Sequence, residues 1–128
     1  MKNIWIVEDD EEMAYAVQLM LKLLNCNSMT FLGARPAAQA LLSGKQPDLM
    51  ILDINMPEVT GLDMLEFVRR RKEWKDMPVI MLSTEAADVT VDKALALGAD
   101  GYVTKPVTIE ELEKVMNMAF QKHQKGLL

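Results

Sequence analysis

The sequence predicts an α/β protein, a parallel sheet of five strands with helices on both faces. Three observations carry this reading. Strand-like and helix-like stretches alternate five times along the 128 residues, the pattern of βα units joined by right-handed crossovers. Leu49 to Leu52 and Pro78 to Leu82 are short unbroken apolar runs bounded by turn residues, as expected of strands covered on both faces. The stretches between them instead carry apolar residues at three- and four-residue spacing, the period of a helix.

Taken in order, Asn3 to Val7 is the first strand and runs into Glu8-Asp9-Asp10. Met13, Val17, Met20, Leu21 and Leu24 then mark a helix, with Glu11 and Glu12 in the first turn, where the helix dipole favours anions. Asn25 to Asn27 end it. Ser28 to Leu32 is the second strand. After Gly33 a helix begins near Pro36 and runs through an Ala-rich stretch to Leu42, where Gly44 stops it. The third strand ends at Asp53. Pro57 and Thr60-Gly61 turn the chain, and Thr60 to Asp63 reads as a capping arrangement. The helix it opens points Leu62, Leu65 and Val68 inward.

The fourth strand, Pro78 to Leu82, leads into Ser83-Thr84-Glu85. A fourth helix, about Ala86 to Leu97, has the least regular apolar pattern and stops at Gly98. Gly101 to Thr104 is a fifth strand, followed by Lys105-Pro106. Thr108-Ile109-Glu110-Glu111 reads as a capping box opening a last helix with Leu112, Val115, Met116 and Ala119 on one face. No internal repeat, low-complexity tract or linker interrupts the chain, so residues 1–128 are expected to form a single domain.

Composition narrows the function classes. Half of the residues are hydrophobic and 26% are charged, as in a globular protein. The net charge is −5, with no long basic run, which disfavours a nucleic-acid surface. The one basic cluster, Arg69-Arg70-Arg71-Lys72, reads as a solvated helix face. A single cysteine, Cys26, allows no internal disulfide, suggests no zinc site and suits a small core or helix-end residue. No signal peptide or membrane span is visible, so a cytoplasmic location is expected. Met20, Met50, Met81 and Met116 fall in apolar patterns and read as core filler.

Polar groups gather at the strand ends: Glu8-Asp9 after the first strand, Asp53 at the third, Ser83 at the fourth and Lys105 at the fifth. Ligands of open α/β sheets bind at the carboxyl ends of strands, and in the flavodoxin-like order 2-1-3-4-5 the first and third strands are neighbours at the switch point. Glu8, Asp9 and Asp53 then converge. Three carboxylates in one cleft repel, and a hard divalent cation relieves that; the all-oxygen set suits Mg²⁺. A metal, an ammonium, a hydroxyl and a carboxylate are what phosphoryl transfer to an aspartate needs, without a general base. No GxGxxG or GxxxxGK[ST] motif is present, so nucleotide binding of those kinds is unsupported.

Ile6-Val7-Glu8-Asp9-Asp10, Asp53-Ile54-Asn55-Met56-Pro57, Ser83, Gly98-Ala99-Asp100-Gly101-Tyr102 and Lys105-Pro106 together resemble the receiver domains of two-component response regulators, over essentially the whole chain. The resemblance implies that Asp53 accepts a phosphoryl group from a sensor histidine kinase or phosphotransfer protein. It makes Glu8 and Asp9 the acidic pair, with Asp9 a direct ligand of Mg²⁺ (or Mn²⁺), Glu8 acting largely through water, and Asp53 and the Asn55 carbonyl completing the set. Ser83 becomes the switch hydroxyl, Lys105 the phosphoryl contact and Tyr102 the aromatic switch, with a cis Lys105-Pro106 peptide. Phosphotransfer and autodephosphorylation are self-catalysed in such a phosphoprotein, which is no conventional enzyme. Asn55 and Glu85 lie near the path of the attacking water.

One position departs from the family. Where Ala or Gly often follows the switch hydroxyl, this chain has Thr84, whose bulk narrows access to Asp53. The resemblance also makes the fourth helix, fifth strand and fifth helix, about Ala86 to Gln121, the output surface. That surface is mixed in charge and lacks the Asp-Asp-Tyr run and Arg-rich last helix of receivers that dimerise to bind DNA. A monomer that docks a downstream effector protein is expected. Two rivals remain: a degenerate receiver working without phosphorylation, which the intact site disfavours, and an Asp-nucleophile phosphatase of the haloacid-dehalogenase kind. The latter needs Asp-x-Asp after the first strand, where this chain has Glu8-Asp9-Asp10.

Overall fold

The computed structural model describes residues 1–84 and 88–128. Its elements are β1 (Asn3–Val7), α1 (Glu11–Leu23), β2 (Asn27–Phe31), α2 (Ala34–Leu42), β3 (Leu49–Asp53), α3 (Gly61–Arg70), β4 (Val79–Ser83), α4 (Asp88–Ala96), β5 (Gly101–Thr104) and α5 (Ile109–Lys122). The strands form one sheet in the order β2-β1-β3-β4-β5, with every neighbouring pair parallel. This is the flavodoxin-like order expected for the receiver resemblance, and the alternation of strands and helices is as predicted.

Strand periodicity sorts the core into two layers, because successive side chains point to opposite faces. Trp5, Val7, Met50, Leu52, Val79 and Met81 pack with Ala37 and Leu41 of α2 and with Met64, Leu65 and Val68 of α3. Ile4, Ile6, Leu49, Ile51, Ile80 and Leu82 face the other way, against Val17 and Leu21 of α1 and Leu112, Met116 and Phe120 of α5. β3 and β4 are buried at every position, which is why their sequences are continuous apolar runs. Cys26 is buried and unpaired at the end of α1, as expected.

The helix starts follow from their capping residues. Asp10 caps α1, its carboxylate accepting from the N–H groups of Glu12 and Met13 at 3.0 and 3.3 Å. Thr60 and Asp63 form the full capping box at α3. At α5 Thr108 accepts from the Glu111 N–H at 3.2 Å, half of the box that the sequence suggests. α2 begins at Ala34, two residues before Pro36, which is harmless because the first helical N–H groups have no intrahelical partner. Gly98 has φ +103°, the left-handed conformation expected of the glycine that stops α4.

The basic cluster is the expected solvated face at Arg70, Arg71 and Lys72 but not at Arg69. Arg69 turns inward. Its Nε donates to the Gly98 carbonyl at 2.9 Å, Nη1 to the Trp74 carbonyl at 3.3 Å and Nη2 to Asp100 Oδ2 at 3.0 Å. The Asp100 side chain is 2% exposed and that of Arg69 15%. The same Asp100 oxygen also accepts from the Val79 N–H at 2.9 Å. This cluster ties α3 to the starts of β4 and β5, at the end of the sheet opposite Asp53. Arg70 and Arg71 pair outward with Glu66 and Glu73.

Candidate functional site

Adjacency of β1 and β3 creates the site. Val7 pairs with Leu52, so Glu8, the next residue along, emerges beside Asp53. Glu8, Asp9 and Asp53 each offer an oxygen within 4.8 Å of the others. Glu8 is fully buried, Asp53 is 2% exposed and Asp9 is open to solvent. Asp10, next in sequence, is withdrawn from the set by its role as cap of α1.

Lys105 comes from the loop after β5. Its Nζ lies 2.9 Å from Glu8 Oε1 and 3.4 Å from Asp53 Oδ1. Its main-chain N–H donates to the Ser83 carbonyl at 2.8 Å, and the following peptide to Pro106 is cis, as the family resemblance implies. Burial alone would lower the Lys105 ammonium, but the Glu8 hydrogen bond and the Asp53 charge outweigh it and hold it above its ordinary range. Burial, with Asp53 alongside, pushes the Glu8 carboxyl up to about 7. At 2.9 Å the ammonium forms a close, largely buried ion pair with Glu8 Oε1.

Ser83 is fully buried at the end of β4, where it pairs in register with Thr104. Asn55 bridges Ser83 and Asp53: its Nδ2 donates to Ser83 Oγ and its main-chain N–H to Asp53 Oδ1, both at 3.3 Å. Thr84 is exposed beside this edge of the sheet, and Tyr102 is half-buried on β5, packed against the layer that contains Met81 and Ala99. Glu85 lies outside the described residues.

The sequence-predicted residues Glu8, Asp9, Asp53, Asn55, Ser83 and Lys105 therefore meet at one end of the sheet. Gly61, which sequence reasoning takes only as a turn and helix start, is also a site residue. A Cβ there would stand 2.8 Å from both the Asp53 carbonyl carbon and Ile54 Cα, and closer still to the Asp53 carbonyl oxygen. Its N–H donates to the Ile54 carbonyl at 2.9 Å, so α3 starts directly on the backbone that carries Asp53. The donor set fits a hard divalent cation: three convergent carboxylates, two of them buried, and no nitrogen or sulfur among them.

A doubly wound 2-1-3-4-5 sheet with an acidic, cation-suited pocket and a lysine at its switch point defines the class, a CheY-like α/β receiver. The chain belongs to the response regulator receiver domain family of two-component signalling, whose model matches residues 4–117. It is 34% identical over 126 residues to the KDP operon transcriptional regulatory protein KdpE of Escherichia coli, covering 96% of this chain and 53% of KdpE. It is 30% identical over 120 residues to the chemotaxis protein CheY-3 of Vibrio cholerae, covering 94% of this chain and 92% of that protein. The solved structure of Vibrio cholerae CheY4 superposes with a TM-score of 0.82 at 30% identity, covering 91% of this chain and 96% of that one. The chain thus spans about half of one kind of relative and nearly all of another.

Proposed function

We propose that this chain, taken as one receiver unit over residues 1–128, is a phosphorylation-activated switch. A sensor histidine kinase or phosphotransfer protein supplies the phosphoryl group. An Asp53 carboxylate oxygen attacks phosphorus in line, the phosphorus–nitrogen bond to the donor histidine breaks, and an acyl phosphate forms. The observation that carries this reading is the convergence of Glu8, Asp9 and Asp53, with the Lys105 ammonium against Glu8 and Asp53. When bound, Mg²⁺ or Mn²⁺ would supply neutralising charge to the phosphoryl oxygens, held by Glu8, Asp9, Asp53 and the Asn55 carbonyl. Lys105 contacts the phosphoryl group, and Ser83 donates to one of its oxygens. Thr84 limits access, Glu85 and Asn55 orient the water of autodephosphorylation, and Pro106 fixes the turn that presents Lys105.

The output follows from Ser83. Its shift toward the phosphoryl group vacates space that Tyr102 fills, altering the surface of α4, β5 and α5, a two-state element biased by local charge. Asp92, Lys93, Glu110, Glu113 and Lys114 give that surface mixed charge. It docks a protein effector without direct nucleic-acid contact, and the protein stays monomeric. The switch is read as cytoplasmic; no helix among the described residues is long and apolar enough to cross a membrane.

Incubation with a small acyl phosphate, with and without Mg²⁺, followed by mass spectrometry, tests the reading. Metal-dependent labelling confined to Asp53 is expected. Undiminished labelling of Asp53→Ala would sink it. Sedimentation with beryllium fluoride tests the output, where a tight mimic-dependent dimer would overturn the monomer.

A further inference from the structure

The Asp10 main-chain N–H donates to Glu8 Oε2 at 3.2 Å, a bond that closes a small ring over Asp9. Asp10 is itself held from the other side. Its Oδ1 accepts from the N–H groups of Glu12 and Met13 at 3.0 and 3.3 Å, and its carbonyl accepts from the Ala14 N–H at 2.9 Å. The helix it caps is seated in the core through Ala14, Val17 and Leu21. A line of contacts therefore runs from the core through α1 and Asp10 to the carboxylate of the buried Glu8. Asp9 is exposed and is carried between two residues that are fixed.

We propose that Asp10 is a positioning residue of the cation pocket: by capping α1 it fixes the main chain that aims Glu8 and Asp9 into that pocket. The inference rests on the reading of Glu8, Asp9 and Asp53 as the cation site and deepens it. Ordering the ligands before a metal arrives removes an entropic cost from binding. An exposed ligand such as Asp9 has little packing to hold it, so its main chain must be held instead. For this the Asp10 side chain need only accept hydrogen bonds from the start of α1. Asparagine and serine can replace it in that role, whereas alanine cannot.

The test is the affinity for Mg²⁺ alone, measured by NMR titration of the wild type, Asp10→Asn, Asp10→Ser, Asp10→Ala and Val17→Ala. Thermal melts establish that each is folded. Wild-type binding that Asp9→Asn abolishes is expected; its absence would sink the cation-site reading and this inference with it. Given wild-type binding, Asp10→Ala should bind about tenfold more weakly than Asp10→Asn, the lower end of what losing a ligand-orienting partner costs. Both variants lack the Asp10 charge, so their difference reports the cap and not the electrostatics. Asp10→Ser should behave as Asp10→Asn does. Val17→Ala truncates the buried face of the same helix and should lower the melting temperature while keeping wild-type affinity.

Hydrogen exchange of the Glu12 and Met13 amides gives a second readout. In the metal-free protein it should quicken at least about threefold in Asp10→Ala and stay slow in Asp10→Asn. Mg²⁺ should slow it further in the wild type, because a cap that favours the metal must be favoured by it; this arm needs no variant. Equal Mg²⁺ affinity in Asp10→Ala and Asp10→Asn would overturn the proposal. So would a Val17→Ala variant weakened as much as Asp10→Ala, or wild-type exchange at Glu12 and Met13 that is indifferent to Mg²⁺.

Discussion

Replacing Gly61 by alanine sets two effects of opposite sign against each other. Gly61 is the first residue of α3, and alanine there should gain up to about 1 kcal/mol from helix propensity and reduced unfolded-state freedom. Against this, the new methyl would meet the Asp53 carbonyl carbon and Ile54 Cα at 2.8 Å, with the Asp53 carbonyl oxygen nearer still. Carbon contacts relax only beyond about 3.5 Å. The obstructing atoms are main chain, so no rotamer change relieves them. The start of α3 must separate from the end of β3, stretching the 2.9 Å bond from Gly61 N–H to the Ile54 carbonyl. Overpacking of this kind costs about 1–3 kcal/mol, and the backbone clash puts the variant at the upper end.

The net expectation is a loss of about 2 kcal/mol, read as a lower urea midpoint with an unchanged slope. Because the displaced segment carries Asp53, Mg²⁺ affinity should fall as well. A variant as stable as the wild type or more so would show that propensity wins and that α3 does not press on the Asp53 backbone.

Three further outcomes are expected. Arg69→Met leaves the Asp100 carboxylate buried without its main charge partner and should destabilise by about 3 kcal/mol or more in urea unfolding; a loss below about 1 kcal/mol, the worth of an exposed pair, would contradict the inward role. Asp9→Asn should abolish the Mg²⁺-induced rise in melting temperature, which corresponds to about 2.7 kcal/mol at a hundredfold excess over Kd; an unchanged shift would remove Asp9 as a ligand. Thr84→Ala should speed labelling of Asp53 by small acyl phosphates, followed by mass spectrometry against time, and equal or slower labelling would refute the steric argument.

The alternation of strands and helices was legible from periodicity, whereas the sheet order, and with it the meeting of Glu8, Asp9 and Asp53, came from the flavodoxin-like order that the family resemblance implies. Continuous apolar runs at β3 and β4 meant burial on both faces, and neighbouring strands then brought their carboxyl ends together. Arg69 was misjudged because charge was weighed before position. It lies four residues after Leu65, on the same helical face, so the period that marked Leu65 and Val68 as buried also pointed Arg69 inward. Asp9 was separated from Asp10 by the family resemblance, while the capping role of Asp10 was not drawn although an aspartate directly before Glu11 and Glu12 carries that signal. The approach of Gly61 to the Asp53 carbonyl could not be read at all, since it depends on how α3 returns across the end of β3.

Gly101 has a mechanical consequence. A Cβ at this position would stand 2.5 Å from Val115 Cγ1 and 3.3 Å from Ile80 Cγ2, so a methyl of α5 occupies the place of the missing side chain on β5. Helix and strand are keyed like tongue and groove, and α5 cannot slide along the sheet without first lifting out of that notch. α4, the helix with the weakest amphipathic pattern, has no such key among its described residues.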